Sequence, residues 1–195
     1  MLEDKVLYAL VAIVLATIGY IPYVKGIYKG TNKPHIFMWL IWVIVLAIIT
    51  LAQWHAGAGP STWVTGYVGV VSTLIFLWSL KAGEKHITRL DWIMLWGSFA
   101  AIPLWVLTDD PLGSVCLVTV INSMSFVPTI RKAWSKPYEE NLALYMLIIP
   151  RQVLAIAALE VYSVTTVLYL ASVIVMCMIL LSSILYRRYS LPKQK

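Results

Sequence analysis

GYIPYVKGIYKGTNKPHIFMWLIW, residues 19–42, and SFVPTIRKAWSKPYEENLALYMLI, residues 125–148, are two versions of one stretch. Each places a proline, Pro22 or Pro128, near the end of an apolar run, passes through a short basic loop and enters another apolar run. At this offset of 106 residues Lys25 faces Arg131, Tyr28 faces Trp134, Trp39 faces Tyr145 and Ala52 faces Ala158. Internal repetition decides an architecture before any single residue does. In a membrane chain it points to a transporter whose substrate site lies between the copies, near the bilayer midplane.

The chain of 195 residues is 61% hydrophobic and 12% charged, with a mean hydropathy of +0.82. That is more apolar surface than a water-soluble domain of this length hides in one core. A helix crossing about 30 Å of hydrocarbon needs about 20 apolar residues. Seven segments qualify: Val6–Ile27, His35–Trp54, Trp63–Leu80, Trp92–Leu107, Leu112–Thr129, Leu142–Leu159 and Val164–Tyr186, the fourth being the shortest. None alternates polar with apolar residues, which sets aside a lipid-facing barrel.

The net charge of +6 is a matter of topology. Lys25, Lys29 and Lys33 follow segment one, Lys81, Lys85 and Arg89 follow segment three, Arg131, Lys132 and Lys136 follow segment five, and Arg187, Arg188, Lys193 and Lys195 follow segment seven. Of the 15 basic residues 13 therefore share one side, leaving Lys5 and Arg151. The positive-inside rule puts the N-terminus outside and the C-terminus in the cytoplasm, in a multi-pass protein of the plasma membrane. Membrane lipids are the expected partners of these charges, and a nucleic-acid partner is not expected. Acids ahead of the first apolar run, Glu3 and Asp4, and the repeat motif inside it argue against a cleaved signal peptide. Cys116 and Cys177 lack metal-ligand spacing and read as small apolar residues.

The fold class expected is an all-α membrane protein, seven transmembrane helices forming two parallel three-helix repeats joined by a linker helix. The units are 1–81, the first triple-helix repeat; 82–110, the linker; 111–189, the second repeat; and 190–195, a cytoplasmic tail. Three helices invert a copy, and one more crossing restores its direction, so the copies are parallel. Small residues at helical spacing, Ala9, Ala12, Ala16 and Gly19 in the first segment and Gly66, Gly69 and Ser72 in the third, suit close helix packing.

A proline-centred segment, a basic loop and a further apolar helix, twice, with one helix between, resembles the PQ-loop and SWEET superfamily of 3+1+3 membrane proteins. The likeness runs from Ile18 to Leu185. It implies a facilitative carrier of a small solute working by alternating access, with no cofactor and no metal, and it does not name the cargo. The superfamily also holds the KDEL receptor, so a heptahelical receptor that binds a ligand without transport is the alternative. A homo-oligomer is compatible with either. The name-giving Pro-Gln pair reads Pro22-Tyr23 and Pro128-Thr129 here, and Ile44 stands where the second copy has Pro150. By the resemblance Pro22, Pro128 and Pro150 are flexure points. Where sugar-transporting members carry Asn in helices three and seven, this chain has Tyr67, Thr73, Tyr169 and Ser172. Carboxylates of the kind that couple the superfamily's lysosomal carriers to protons are missing from the middle of every apolar segment.

Arg151 is the conspicuous residue, about nine positions into segment six and thus near the bilayer centre. Placing it there costs about 2.5–3.5 kcal/mol on translocon-insertion scales, and such residues face a bundle interior or a wet cavity. It either binds an anionic group of the solute through its planar fork, or it has a structural role, serving carbonyls freed by Pro150 or snorkelling along its stem; both readings stand. Gln152 points about 100° away around the helix. Asn122 sits in a polar stripe with Thr119, Ser125 and Thr129, and its amide needs partners in a medium without water. The substrate-binding candidates are thus Arg151, Asn122, Gln152, Tyr145, Tyr67 and Tyr169, with Tyr23, Trp39 and Trp42 as added stacking surface. His35, His55 and His86 are scattered and assemble no catalytic set. A retinal protein needs a Lys deep in its last helix, and segment seven has none.

Overall fold

A computed structural model describes residues 2–30, 34–83, 87–135, 137 and 142–190, with the backbone alone at 82, 127–129, 131, 132, 135, 143 and 144. The fold is all-helical: α1 (Leu2–Tyr28), α2 (Ile36–His55), α3 (Ser61–Ala82), α4 (Arg89–Thr108), α5 (Pro111–Ser135), α6 (Leu142–Ala157) and α7 (Val164–Ser190). Five of these, α1 to α4 and α7, are long and apolar enough to cross a membrane. The apolar parts of α5 and α6 are shorter, Pro111–Phe126 and Tyr145–Ala157. This array of apolar helices fits an integral membrane protein. Only 22% of the apolar window of α1 is buried within the bundle, against 50% for α2, so α1 turns Leu7, Val14, Ile18 and Ile21 outward while α2 occupies the middle.

Helix ends follow local chemistry that apolar runs do not report. Helix α4 begins at Arg89, earlier than its apolar run, because Thr88 and Asp91 form a reciprocal capping box. The Asp91 backbone N–H donates to Thr88 Oγ1 and the Thr88 N–H donates to Asp91 Oδ2. It stops at Asp109, whose left-handed φ of 51° ends the helix. Ser163 and Thr166 pair in the same reciprocal way before α7. Helix α6, not α4, is the shortest: the chain turns at Ala158 and Leu159, two residues before the apolar run expires. Acidic Glu3 and Asp4 suit the first turn of α1, which starts ahead of the expected Val6.

Helix α3 lies between α1 and α2, and α7 lies between α5 and α6. The two triplets meet where α1 packs on α6 and where α2 packs on α5, and α4 covers α2 and α5 from one side. One core cluster runs through both triplets, with Ala9, Ala12 and Ala16 of α1 and Ala155 of α6 supplying small residues. At the end of the α2–α3 and α6–α7 loops two hydrogen bonds tie the triplets together. Gln53 Nε2 donates to the Thr166 carbonyl at 3.4 Å, and the Glu160 N–H donates to the Ala58 carbonyl at 3.1 Å.

The opposite end is held differently. Arg187 Nε donates to the Trp134 carbonyl at 2.7 Å and its guanidinium lies 5.1 Å above the Trp134 ring, while Arg188 Nε donates to the Pro137 carbonyl. Cations there satisfy carbonyls left over at the C-terminal end of α5. Phe37 meets Trp92 edge-on at 4.8 Å, and His35 Nε2 lies 3.9 Å from Asp91, so the starts of α2 and α4 are joined.

Gly59, at φ +65°, carries the tie at the first of these ends, since a Cβ there would strike Glu160. Gly59→Val is expected to cost at least about 1–2 kcal/mol from its left-handed backbone alone, seen as a lowered Tm in detergent. Gly66→Ala, whose Cβ would meet Thr50 Cγ2 at an ordinary 3.5 Å, should leave Tm within a degree or two.

Candidate functional site

Along α1 the inward residues grow in size: Ala9, Ala12, Ala16 and Gly19 are followed by Tyr20 and Tyr23. The helices close tightly where these residues are small and part where they are large. Between α1, α2, α5 and α6 the parting leaves a cavity of about 210 Å³. Its described walls are Leu15, Ala16, Gly19, Tyr20 and Tyr23 from α1, Met38, Trp39 and Trp42 from α2, Ser125 and Phe126 from α5, and Tyr145, Leu147, Ile148 and Arg151 from α6. Gly19 and Ser125, Tyr20 and Phe126, Trp39 and Tyr145, and Trp42 and Ile148 each stand 106 residues apart.

The cavity occupies the half of the bundle nearer the α1–α2 and α5–α6 loops. Its far end is shut by Ala9, Ala12, Val45, Ile49, Ala52, Val115, Val118, Ala155, Ala158 and Leu159, every one 0% exposed. Burial there follows the same offset: Ala9 with Val115, Ala12 with Val118, Ala52 with Ala158. Nearer the α1–α2 and α5–α6 loops the wall is aromatic. Trp39 Nε1 donates to Tyr23 Oη at 3.2 Å, the Tyr23 and Trp39 rings lie 5.4 Å apart, and Trp39 meets Trp42 edge-on at 5.1 Å.

Arg151 is the one charged group among the described walls. Tyr145, Ile148 and Arg151 succeed one another at three-residue steps on one face of α6, so Arg151 lies at the shut end and Tyr145 nearer the mouth. Arg151 Nε has no hydrogen-bond partner, and neither has Trp42 Nε1, although both are shielded from solvent.

Of the residues singled out by sequence, the cavity brings together Arg151 and Tyr145, along with Tyr23, Trp39 and Trp42. Asn122 lies one turn beyond Ser125, buried, with Nδ2 unpartnered and its carbonyl accepting from Ser125 Oγ at 2.6 Å. Gln152 is buried outside the wall, as its angular step from Arg151 requires. Tyr67 is engaged with Thr17, the two hydroxyls 2.7 Å apart, and Tyr169 packs in the core behind Arg151. Pro22 and Pro150 sit within α1 and α6 without lining the cavity. Both are on the exposed face. Pro128 falls in α5, outside the described side chains. Tyr20 and Phe126 escaped the sequence reading. Applying the 106-residue offset to the neighbours of Tyr23 would have found both.

No group of three His, Cys, Asp or Glu side chains that could hold a metal ion occurs among the described residues. Tyr23→Phe removes the acceptor of the Trp39 indole and is expected to cost about 0.5–1.5 kcal/mol, measured by unfolding in detergent, with a change in tryptophan emission from the loosened Trp39. No family model, curated protein or solved structure matches this chain.

Proposed function

We propose that the chain is a facilitative membrane carrier moving a small polar solute by alternating access, in the 3+1+3 manner of the PQ-loop and SWEET superfamily. In this reading α1–α3 and α5–α7 are two parallel repeats and α4 is their linker. The supporting observation is that eight of the fourteen described wall residues form four pairs 106 residues apart, on the four helices where the two triplets meet. Neighbour relations follow the same correspondence: α1 with α6 answers α5 with α2, and α2 with α7 answers α6 with α3.

With the N-terminus outside, the basic loops make the cavity mouth cytoplasmic, and the arrangement is the inward-facing one. Switching requires the shut end to open and the aromatic mouth to close. The ties to be broken at the shut end are two hydrogen bonds, each worth about 0.5–1.5 kcal/mol net, and packing of small side chains that slide without unlocking long rotamers. Pro22 and Pro150 each remove a helical hydrogen bond in a helix that borders the cavity, which softens it locally. Residues at the mouth, Tyr23, Trp39 and Tyr145, are bulky enough to close over a solute. No catalytic step is assigned to any residue.

The test is uptake of labelled solutes into proteoliposomes holding the purified chain, against liposomes without it. Saturable flux supports a carrier; saturable binding with no flux for any bound solute would make the protein a receptor. A second expectation concerns access. In a variant lacking Cys116 and Cys177, Ser125→Cys should react with an impermeant thiol reagent from the C-terminal side and Ala12→Cys from neither side. Equal labelling of both would contradict a one-sided cavity.

A further inference from the structure

Resting on the reading of the cavity as the solute site, we infer that its ligand is an organic monoanion with a flat apolar body, of which an aromatic carboxylate is the fitting chemistry. A guanidinium at membrane depth is costly, and a counter-charge seated in the cavity offsets that cost. The described walls hold no Asp or Glu to provide one. A single carboxylate does. A second negative charge on the ligand would find no partner among the described walls.

Hydrogen-bonding capacity points the same way. The shielded, unpartnered polar atoms of the wall residues, Arg151 Nε and Trp42 Nε1, are both donors with no lone pair to offer. Asn122 Nδ2, one turn deeper on α5, is a third. Carboxylate oxygens are acceptors matched to these donors. Two of the wall hydroxyls are engaged: Tyr23 Oη accepts from Trp39, and Ser125 Oγ donates to a backbone carbonyl. A sugar would bury many O–H donors against ring faces, each unmade bond costing about 1–3 kcal/mol.

The remaining wall selects the body. Tyr20, Tyr23, Trp39, Trp42, Phe126 and Tyr145 surround the space with ring faces and edges suited to a planar apolar group. From Tyr145 to Arg151 the wall rises about 9 Å, room for one ring with its carboxylate directed to the shut end. A guanidinium, being weakly hydrated and forked, gives up water for a carboxylate at low cost.

The experiment compares benzoate, benzamide, hexanoate and glucose as probes of the purified full chain in detergent, by thermal shift and equilibrium binding. Benzoate is expected to bind at least tenfold more tightly than each of the others, and Arg151→Gln to lose at least tenfold of that affinity, with Arg151→Lys between. Equal binding of benzamide or glucose would overturn the charge requirement, and equal binding of hexanoate the planar one. The wild-type series decides the matter even where Arg151→Gln does not fold. Proteoliposome flux separates the two levels. Arg151-dependent benzoate binding without benzoate flux keeps the ligand class and removes the carrier, whereas glucose flux without benzoate binding keeps the carrier and removes the ligand class.

Discussion

Close approach of helices through small side chains, at one end of the bundle, is the contact on which the rest of this structure depends. Lipid offers helices no hydrophobic reward for meeting, so association rests on dispersion between well-fitted surfaces. Ala9, Ala12, Ala155 and Ala158, with Val45, Val115 and Val118, provide such a surface, completely buried. Further along the same helices Tyr20, Tyr23, Trp39, Phe126 and Tyr145 cannot interdigitate as closely, and the cavity occupies the difference. Seal and cavity are thus two consequences of one gradient in side-chain volume.

That gradient explains why a charge is tolerated at the base of the cavity. At Val45, the position 106 residues before Arg151, α2 presents a fully buried valine that completes the packing. Helix α6 presents a guanidinium to the cavity there instead. Shape is shared between matching positions while polarity is not: the charge in the described wall comes from α6, with the Trp42 indole of α2 as a further polar group. The prolines sit in the same helices but on the opposite, exposed faces, where they can soften α1 and α6 without touching what the cavity holds.

Much of the fold was legible because hydropathy and length are strong signals in lipid, where every backbone group must be satisfied within a helix. Seven helices lie where seven apolar runs lie. Their ends were less legible: α4 starts three residues early because Thr88 and Asp91 cap it, and α6 finishes early because the Ala158 turn is pinned by its neighbouring loop through Glu160 and Ala58. Arg151 announced itself by its cost. Tyr20 and Phe126 did not, since an aromatic residue in an apolar helix reads as packing or lipid contact until its neighbours are known. Tyr67 and Asn122 had the reverse fault: both looked conspicuous for their polarity, which is used between helices or just outside the wall.

The sequence by itself determined that this chain is a set of apolar helices, that a proline-loop-helix stretch occurs twice, and that one arginine lies at membrane depth. Those properties are local, being read from hydropathy, spacing and the cost of a charge in hydrocarbon. Only the tertiary structure decided which helices meet, that α3 and α7 are the middle members of their triplets, and which end is shut. Only it decided that Arg151 and six aromatic residues, Trp42 among them, face one space while Gln152, Tyr67 and Tyr169 do not. The physical reason is that a helix offers every side of itself to its surroundings. Which side becomes a wall depends on the size of residues contributed by three other helices, a sum that no single stretch of sequence contains.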